Sequence, residues 1–441
     1  MAYFIEGSKA LIGTVNISGS KESALTLIAA SMFSNEDIVL ENVPDISLVH
    51  FNLEILEKLG AKVLWMGNNR VLLNGSQINT YEIPEDLGKN CRNCILLAGP
   101  LLFRFGKAVI PKFEPEEDEA LRINRIIEMW ELLRIKVEES EDSLYLESVE
   151  IKPAAINFKK ASKLATQSAV LSSVFISGET AINNSSEASE IDDLINFLNI
   201  IGAEIKRTGP KEILITGSNI FKQGSFSVQP ETTEAVLFAA AALLTNGNIV
   251  IKNTLKEPLI PFVNFLNKIG ANFEFTLNNE LKVWRNHEPL SNTDLTISPS
   301  PGFIPEWQTF ASLILTQSEG VSRIHDTVYI DRFDYIRDLN MMGADLKLFT
   351  PSELGIPVKV SDDSYDLEKE GEPQSVLEIT GGTNLKGTRI AFYSNRYAPV
   401  MLLAALSAEG KSEVTGIEYL TAYYENIINK FIDIGAKIWE Q

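Results

Sequence analysis

The sequence LGAKV at residues 59–63 is the first of a series of short phrases that decide the fold of this chain. Each phrase has an apolar residue, a glycine, an alanine, a polar residue and a second apolar residue. The other copies are IGAEI (201–205), IGANF (269–273), MGADL (342–346), IGAKI (434–438) and a variant, LRIKV (133–137), with Arg134 in the glycine position. A phrase that occurs six times indicates six similar structural repeats.

The residues around the first copy show what one repeat contains. The β-branched run IVLENV (38–43) predicts a strand, and Pro44 and Asp45 predict the turn that follows it. The segment VHFNLEILEKL (49–59) has apolar residues at helical spacing. Gly60 then ends this helix, because glycine readily adopts the left-handed conformation needed at a helix C-terminus.

A second kind of helix in each repeat is apolar on almost every face, which predicts that it is buried. Its copies are KESALTLIAASMF from Lys21, CILLAGPLLFRF from Cys94, TQSAVLSSVFI from Thr166, TEAVLFAAAALL from Thr233, EWQTFASLILTQ from Glu306 and YAPVMLLAALSA from Tyr397. A chain of 441 residues is too long for one core. We therefore expect two α/β lobes of three repeats each, with an open solenoid of six repeats as the alternative.

The composition restricts the possible partners. The chain has 45% hydrophobic and 22% charged residues and a formal net charge of −20. Such a negative charge argues against nucleic acid or an anionic membrane as a general partner. No signal peptide or long apolar run is recognisable, so a cytoplasmic location is expected. An anionic small substrate would require a local cluster of Lys and Arg.

Metal and redox chemistry are not predicted. Cys91 and Cys94 form a single CRNC sequence, and the three histidines are scattered without the spacing of metal ligands. We therefore expect no metal site and no cofactor.

Several long segments are similar to members of the enolpyruvyl transferase superfamily, and most of all to the UDP-N-acetylglucosamine enolpyruvyl transferases. These segments are IEGSKALIGTVNISGSKESALTLIAAS (5–31), IVLENVPDISLVHFNLEILEKLGAKV (38–63), CRNCILLAGPLLFRFGKAVI (91–110), SEASEIDDLINFLNIIGAEI (186–205) and DTVYIDRFDYIRDLNMMGADL (326–346). They follow one another in the family's order across nearly the whole chain.

The resemblance implies a two-lobed, inside-out α/β barrel-like fold with three βαβαββ repeats in each lobe. It places one continuous lobe at residues 21–229 and a discontinuous lobe at residues 1–20 plus 230–441. It also implies an enzyme that moves the enolpyruvyl group of phosphoenolpyruvate to a hydroxyl, with release of phosphate. The acceptor by default is UDP-N-acetylglucosamine, in the synthesis of peptidoglycan precursors for the cell wall.

The resemblance also implies a set of cations that bind substrate. Lys21 matches the family's phosphoenolpyruvate lysine, and it stands where a loop becomes a buried helix, a favourable place for an anion. Arg92, Arg122 and Arg396 match family arginines near the substrates. Arginine suits these positions because its planar fork can hold a carboxylate or a phosphate through two hydrogen bonds.

Acidic residues are expected at two positions of the reaction. Glu306 stands where the family has an aspartate near the acceptor hydroxyl, and Arg332 matches a neighbouring arginine. The family's loop Gly-Gly-Cys, whose cysteine is an acid, is replaced by PKFEPEEDEALR, in which Glu117 falls at about the cysteine position. We therefore expect Glu117 and Glu306 to be the groups that transfer protons.

Four other departures affect the substrate site. Glu22 replaces the asparagine that follows the catalytic lysine, and brings a negative charge to a site for anions. The family's Asp-Leu-Arg becomes Ser394, Asn395 and Arg396, without the acid, and Ala422 takes the position of an arginine that holds phosphoenolpyruvate. Residues 123–125 also differ from the family's nucleotide-binding sequence.

These departures keep two other hypotheses open. One is a catalytically silent paralogue that binds a nucleotide or a protein partner. The other is transfer to a different acceptor, such as shikimate 3-phosphate, whose enzyme has motifs somewhat like FIPEWQT (303–309).

Overall fold

The protein divides into two compact units. Its structure, a computed structural model, describes residues 2–113, 117–361 and 365–440, with the side chains of residues 117–122 outside the described part. Unit 1 comprises Met1–Ser18 and Pro230–Gln441, and unit 2 comprises Gly19–Gln229. The first crossing between the units thus lies at Ser18 and Gly19, two residues before the expected position.

The helices are of the two kinds expected from the sequence. In the described residues they are α1 (Lys21–Ala30), α2 (Ser47–Lys58), α3 (Glu85–Gly88), α4 (Ala98–Phe105), α5 (Glu117–Leu132), α6 (Lys163–Ser173), α7 (Ser189–Ile200), α8 (Thr232–Leu244), α9 (Ile260–Lys268), α10 (Gln308–Leu315), α11 (Tyr335–Met341), α12 (Leu367–Glu370), α13 (Ala398–Ser407), α14 (Glu418–Thr421) and α15 (Ile427–Asp433).

The strands are short. They are β1 (Tyr3–Glu6), β2 (Ile12–Asn16), β3 (Ile38–Glu41), β4 (Lys62–Gly67), β5 (Arg70–Asn74), β6 (Lys107–Pro111), β7 (Ile135–Glu139), β8 (Ser143–Ser148), β9 (Ala155–Asn157), β10 (Glu179–Asn183), β11 (Glu204–Gly209), β12 (Glu212–Thr216), β13 (Gly224–Ser227), β14 (Asn248–Lys252), β15 (Asn272–Phe275), β16 (Leu281–Trp284), β17 (Leu290–Ser291), β18 (Asp294–Ile297), β19 (Ser318–Glu319), β20 (Val321–Asp326), β21 (Asp345–Phe349), β22 (Val376–Thr380), β23 (Arg389–Ala391), β24 (Lys411–Thr415) and β25 (Lys437–Glu440).

The sheets repeat one pattern, in which a parallel pair of strands is followed by two antiparallel neighbours. In unit 2 the orders are β13-β3-β5-β4, β9-β10-β12-β11 and β6-β8-β7. The last sheet has a parallel bridge between Glu82 and Val109 in place of its fourth strand. In unit 1 the orders are β2-β14-β16-β15, β18-β20-β22-β21 and β23-β24-β1-β25, beside the small pair β17-β19.

The six repeated phrases lie at equivalent positions of these repeats. Helices α2, α5, α7, α9, α11 and α15 each end two residues before the glycine position. That position has a positive φ in every copy, including 98° at Gly60 and 60° at Arg134. Glycine is therefore preferred there for its backbone conformation, and Arg134 is the one side chain that accepts this strain.

The apolar helices form the cores, as predicted from their composition. In α8 every residue from Thr233 to Leu244 is buried, and α13 is buried from Ala398 to Leu406. Unit 1 and unit 2 each have their own hydrophobic cluster. The α/β class with three repeats in each half is thereby confirmed, and the open solenoid is not observed in the described part of the chain.

A buried carboxylate holds the last residue of unit 2. Asp193 Oδ2 in α7 accepts a hydrogen bond from the backbone N–H of Gln229, at 3.1 Å. Burial raises the pKa of Asp193 to about 6, although hydrogen bonds from Gln229 and Ser23 oppose that rise. The folded protein therefore binds this proton more tightly than the unfolded chain, and its stability should fall as the pH rises from about 4 to 6.

The change Asp193→Asn should remove this pH dependence. As the pH rises from about 4 to 6, the variant should gain stability relative to the wild type by about 2 to 3 kcal/mol, because asparagine has no proton to lose. Thermal melting across this range measures the difference. Asp192→Asn is the matched control, since its side chain is half exposed. A difference between Asp193→Asn and wild type that stays constant with pH would contradict this explanation.

Candidate functional site

Lys21 is the first residue of the buried helix α1, and its backbone is tightly held. Ser20 caps the helix, with its Oγ atom accepting from the N–H of Ser23 at 3.3 Å. The N–H of Ser20 in turn donates to the carbonyl oxygen of Gln229 at 2.7 Å. Lys21 itself is partly buried. An ammonium group at the first turn of a helix adds to the positive end of the helix dipole, which favours a bound anion.

The negative charge of Glu22 has a cationic partner. Its Oε2 atom lies 3.9 Å from Nζ of Lys163, the first residue of α6, and the Glu22 side chain is 37% exposed. Lys163 also contacts Oε1 of Glu190 in α7, at 3.1 Å. The acid that replaces the family's asparagine is therefore offset by a lysine that the sequence analysis did not single out.

Buried hydrogen bonds fix α1 and α6 against each other. Gln167 Nε2 in α6 donates to Thr26 Oγ1 in α1, at 2.8 Å, and Thr26 Oγ1 donates to the carbonyl oxygen of Glu22 at 2.8 Å. Thr166 Oγ1 accepts from the N–H of Ser186 at 3.0 Å. The bond between Gln167 and Thr26 joins α1 to α6 independently of the charged side chains.

Arg92 lies at the start of a 3₁₀ helix, Arg92–Leu97, that packs against α1 and α6. Its side chain is exposed, at the edge of a largely apolar pocket. The pocket is lined by Cys91, Arg92, Ile95, Ile110, Pro111, Lys112, Phe113, Ile123, Leu144 and Leu164. Two cations on an apolar wall suit a ligand that has both a negative charge and a hydrophobic face.

Two predicted residues lie outside the described side chains, namely Glu117 and Arg122.

The cysteines are described, and both are buried, with Cys91 Sγ donating to Asn52 Oδ1 at 3.4 Å. Burial, together with the hydrogen bond that the Cys94 thiol donates to Cys91, raises the pKa of Cys94. Within the described residues, no group of three His, Cys, Asp or Glu side chains is placed to hold a metal ion.

Unit 1 brings Glu306 and Arg332 close to a buried acid, Asp326. Glu306 is exposed in the turn Pro305–Trp307 that precedes α10. Asp326 is 1% exposed and accepts hydrogen bonds from the N–H groups of Val328 (2.8 Å) and Tyr329 (2.9 Å). Burial raises the pKa of Asp326 to about 6, with the charge of Arg332 lowering it and that of Glu306 raising it.

Arg332 and Arg396 both lie near Tyr397. The guanidinium of Arg332 stacks on the ring of Tyr329, 3.1 Å from its centroid. Arg396 is exposed just before α13 and hydrogen-bonds Tyr397. Burial raises the pKa of Tyr397, while the charges of both arginines lower it. Unit 1 therefore gathers two arginines, an exposed carboxylate and a buried carboxylate, a set able to bind an anion and transfer protons.

Three residues near the predicted ones, Asp326, Tyr397 and Lys163, were not predicted from the sequence. Asp326 is the last residue of β20, and Tyr397 immediately precedes α13. Tyr397 thus follows directly on the predicted Arg396. The charged side chains around Asp326 and Tyr397 come from several segments, and only the tertiary structure brings them together. Lys163 is the first residue of α6, the third apolar helix of unit 2, just as Lys21 is the first residue of α1. Its acidic partners Glu22 and Glu190, however, are far away in sequence.

The family described as EPSP synthase (3-phosphoshikimate 1-carboxyvinyltransferase) matches residues 5–431. UDP-N-acetylglucosamine 1-carboxyvinyltransferase 1 of Carboxydothermus hydrogenoformans is 30% identical over 436 residues, which are 99% of this chain and 97% of that protein. The UDP-N-acetylglucosamine 1-carboxyvinyltransferase of Finegoldia magna is 28% identical over 438 residues, 98% of this chain and 97% of that protein.

Solved structures share the fold. The enolpyruvyl transferase NikO from Streptomyces tendae has a TM-score of 0.86 at 21% identity, with 99% of this chain and 98% of that chain covered. An EPSP synthase from Acinetobacter baumannii has a TM-score of 0.72 at 15% identity, with both chains fully covered. No helix in the described part of the chain is long and apolar enough to span a membrane. The resemblance is confirmed: the chain belongs to the EPSP synthase family and is an enolpyruvyl transferase by descent.

Proposed function

We propose that this protein transfers the enolpyruvyl group of phosphoenolpyruvate to a hydroxyl of UDP-N-acetylglucosamine, with release of phosphate. The observation that carries the proposal is the position of Lys21, at the capped first turn of α1, with the charge of the adjacent Glu22 offset by Lys163. The full-length similarity to two UDP-N-acetylglucosamine 1-carboxyvinyltransferases supports this acceptor. The product would enter peptidoglycan synthesis in the cytoplasm.

Each residue has a stated role in the proposal. Lys21, Arg92 and Arg122 bind the carboxylate and phosphate groups of the substrates through charge-assisted hydrogen bonds. In the addition step the acceptor oxygen bonds to C2 of phosphoenolpyruvate while C3 gains a proton. In the elimination step C3 returns a proton to the ionised carboxylate of Glu117, the C2–O bond to phosphate breaks, and phosphate leaves. Glu306 takes the hydroxyl proton, and Glu117 supplies the proton for C3.

The remaining residues adjust the charge around the substrates. Arg332 and Arg396 hold an anionic group near Glu306, and Asp326 keeps Arg332 in place through its charge. Glu22 borders the anion site and is offset by Lys163.

Two alternatives have specific support. The family match to EPSP synthase favours shikimate 3-phosphate as a second candidate acceptor. The alanine at position 422, in place of an arginine that binds phosphoenolpyruvate in the family, favours a silent paralogue that binds a nucleotide or a protein partner.

Calorimetry and a phosphate-release assay separate these functions. We expect the purified protein to bind phosphoenolpyruvate and to release phosphate from it when UDP-N-acetylglucosamine is added. Release with shikimate 3-phosphate alone would reassign the acceptor. Binding of the UDP-sugar without any release of phosphate would favour the silent paralogue.

A further inference from the structure

Lys163 joins two acidic side chains next to Lys21. Its Nζ atom lies 3.1 Å from Glu190 Oε1 and 3.9 Å from Glu22 Oε2. The three side chains are 30%, 19% and 37% exposed, in the order Lys163, Glu190 and Glu22. Partial burial weakens solvent screening, so a charge added or removed here acts more strongly than on an open surface.

The three residues occupy the first turns of three helices. Glu22 is the second residue of α1, Lys163 the first of α6 and Glu190 the second of α7. The backbone at Lys163 is fixed by other contacts, because Ser162 Oγ caps α6 by accepting from Ala165 N–H at 3.3 Å. The backbone of Lys163 therefore keeps its position whether or not the acidic partners are charged.

From this geometry we infer that Lys163 is a positioning residue for the proposed reaction. It offsets the charge of Glu22 and draws that carboxylate toward α6, so that an anionic substrate can bind beside Lys21. Without Lys163, the carboxylates of Glu22 and Glu190 would repel the carboxylate and phosphate of phosphoenolpyruvate. The inference rests on the proposed function, because it concerns the same site.

The pairing of Glu22 with Lys163 couples the charges of the two positions. A glutamate at position 22 alone would add a negative charge beside an anion site, and a lysine at position 163 alone would add a positive one. Together their two charges cancel, and Glu190 adds its own negative charge on the other side of Lys163. The function of each residue should therefore depend on the presence of the other, which a double-mutant cycle measures.

The test compares Lys163→Met, Glu22→Gln and the double variant. Lys163→Met should raise the Kd and KM for phosphoenolpyruvate roughly threefold to tenfold, with a smaller change in kcat. Glu22→Gln in the Lys163→Met background should recover most of the loss. Lys163→Arg should bind nearly as well as the wild type, since it keeps the charge.

The matched control is Lys206→Met, which removes an exposed lysine paired with Glu204 at 2.9 Å on β11 of the same unit. It should leave the Kd unchanged. Thermal melting of every variant shows whether it is folded. If Lys163→Met unfolds the protein, two other variants test the inference. Glu22→Gln alone should tighten the binding of phosphoenolpyruvate, and Lys163→Arg should leave the Kd close to the wild-type value.

Two results would overturn the inference while leaving the proposed function intact. One is an active Lys163→Met variant with the wild-type Kd. The other is a loss in Lys163→Met that Glu22→Gln fails to relieve. A wild-type protein that neither binds phosphoenolpyruvate nor releases phosphate would instead reject the proposed function, and this inference with it.

Discussion

Replacing Lys430 with methionine is expected to destabilise unit 1 by about 3 to 5 kcal/mol, because it leaves a buried acid without its cation. Lys430 Nζ lies 2.6 Å from Glu234 Oε1 and 2.8 Å from Ser18 Oγ. Glu234 is 1% exposed in α8, and its Oε2 atom accepts from the N–H of Ser18 at 3.0 Å. Burial raises the pKa of Glu234, and Lys430 opposes that rise. Denaturant unfolding of the wild type and the variant measures the loss.

Two further variants test the cause of this loss. In Lys430→Met with Glu234→Gln the buried charge is gone, so most of the stability should return. Lys437→Met removes an exposed lysine that contacts Glu6 at 3.3 Å, and it should cost less than about 1 kcal/mol. Equal losses in Lys430→Met and Lys437→Met would show that burial of the pair does not matter.

The second large effect concerns turnover. Truncating Lys21 to alanine should lower the rate of enolpyruvyl transfer about tenfold to a hundredfold, since a charge-assisted bond to a desolvated anion contributes about 1.5 to 3 kcal/mol. The backbone of α1 should remain in place, because Ser20 rather than Lys21 caps the helix. Steady-state assays of phosphate release give the rate.

Lys9→Ala serves as the control for Lys21→Ala. Lys9 is a half-exposed lysine of unit 1 that contacts Glu6 at 3.3 Å. Its removal should not change turnover. A Lys21→Ala enzyme with the wild-type rate and melting temperature would exclude Lys21 from the reaction.

The repeats could be predicted from the sequence because local chemistry determines them. Gly60 and its counterparts sit where the backbone must take a positive φ, so the same residue recurs at the same place in each repeat. Helix α8 is apolar on almost every face, and a helix of that kind must be buried. Such signals depend on a few neighbouring residues, which a single sequence contains.

The site could be predicted only in part, because its partners are distant in sequence. Lys163 and Glu22 are 141 residues apart by number, as are the hydrogen-bonded Gln167 and Thr26. Nothing in the residues next to Glu22 indicates that α6 brings a lysine to it. The resemblance to a family singled out Lys21 and Glu306 as candidates, whereas the contact between Glu22 and Lys163 became apparent only from the structure.

Asp326 illustrates the same limit. In the sequence it is one of many acids, and its special character comes from burial and from the backbone N–H groups of Val328 and Tyr329. The charges of Glu306 and Arg332 reach it only because β20 ends beside α10 and the segment before α11. Burial and long-range charge are properties of the fold, so periodicity and motifs do not reveal them.

The most direct test of the proposed function is to incubate the purified protein with phosphoenolpyruvate and UDP-N-acetylglucosamine and to follow both products. Mass spectrometry identifies the modified acceptor, and a colorimetric assay counts the phosphate. We expect the UDP-sugar to gain one enolpyruvyl group for each phosphate released, at a rate that Lys21→Ala strongly reduces. An unmodified UDP-sugar with no phosphate released, from protein that is folded and binds the UDP-sugar, would contradict the proposal that this protein is an active enolpyruvyl transferase for that acceptor.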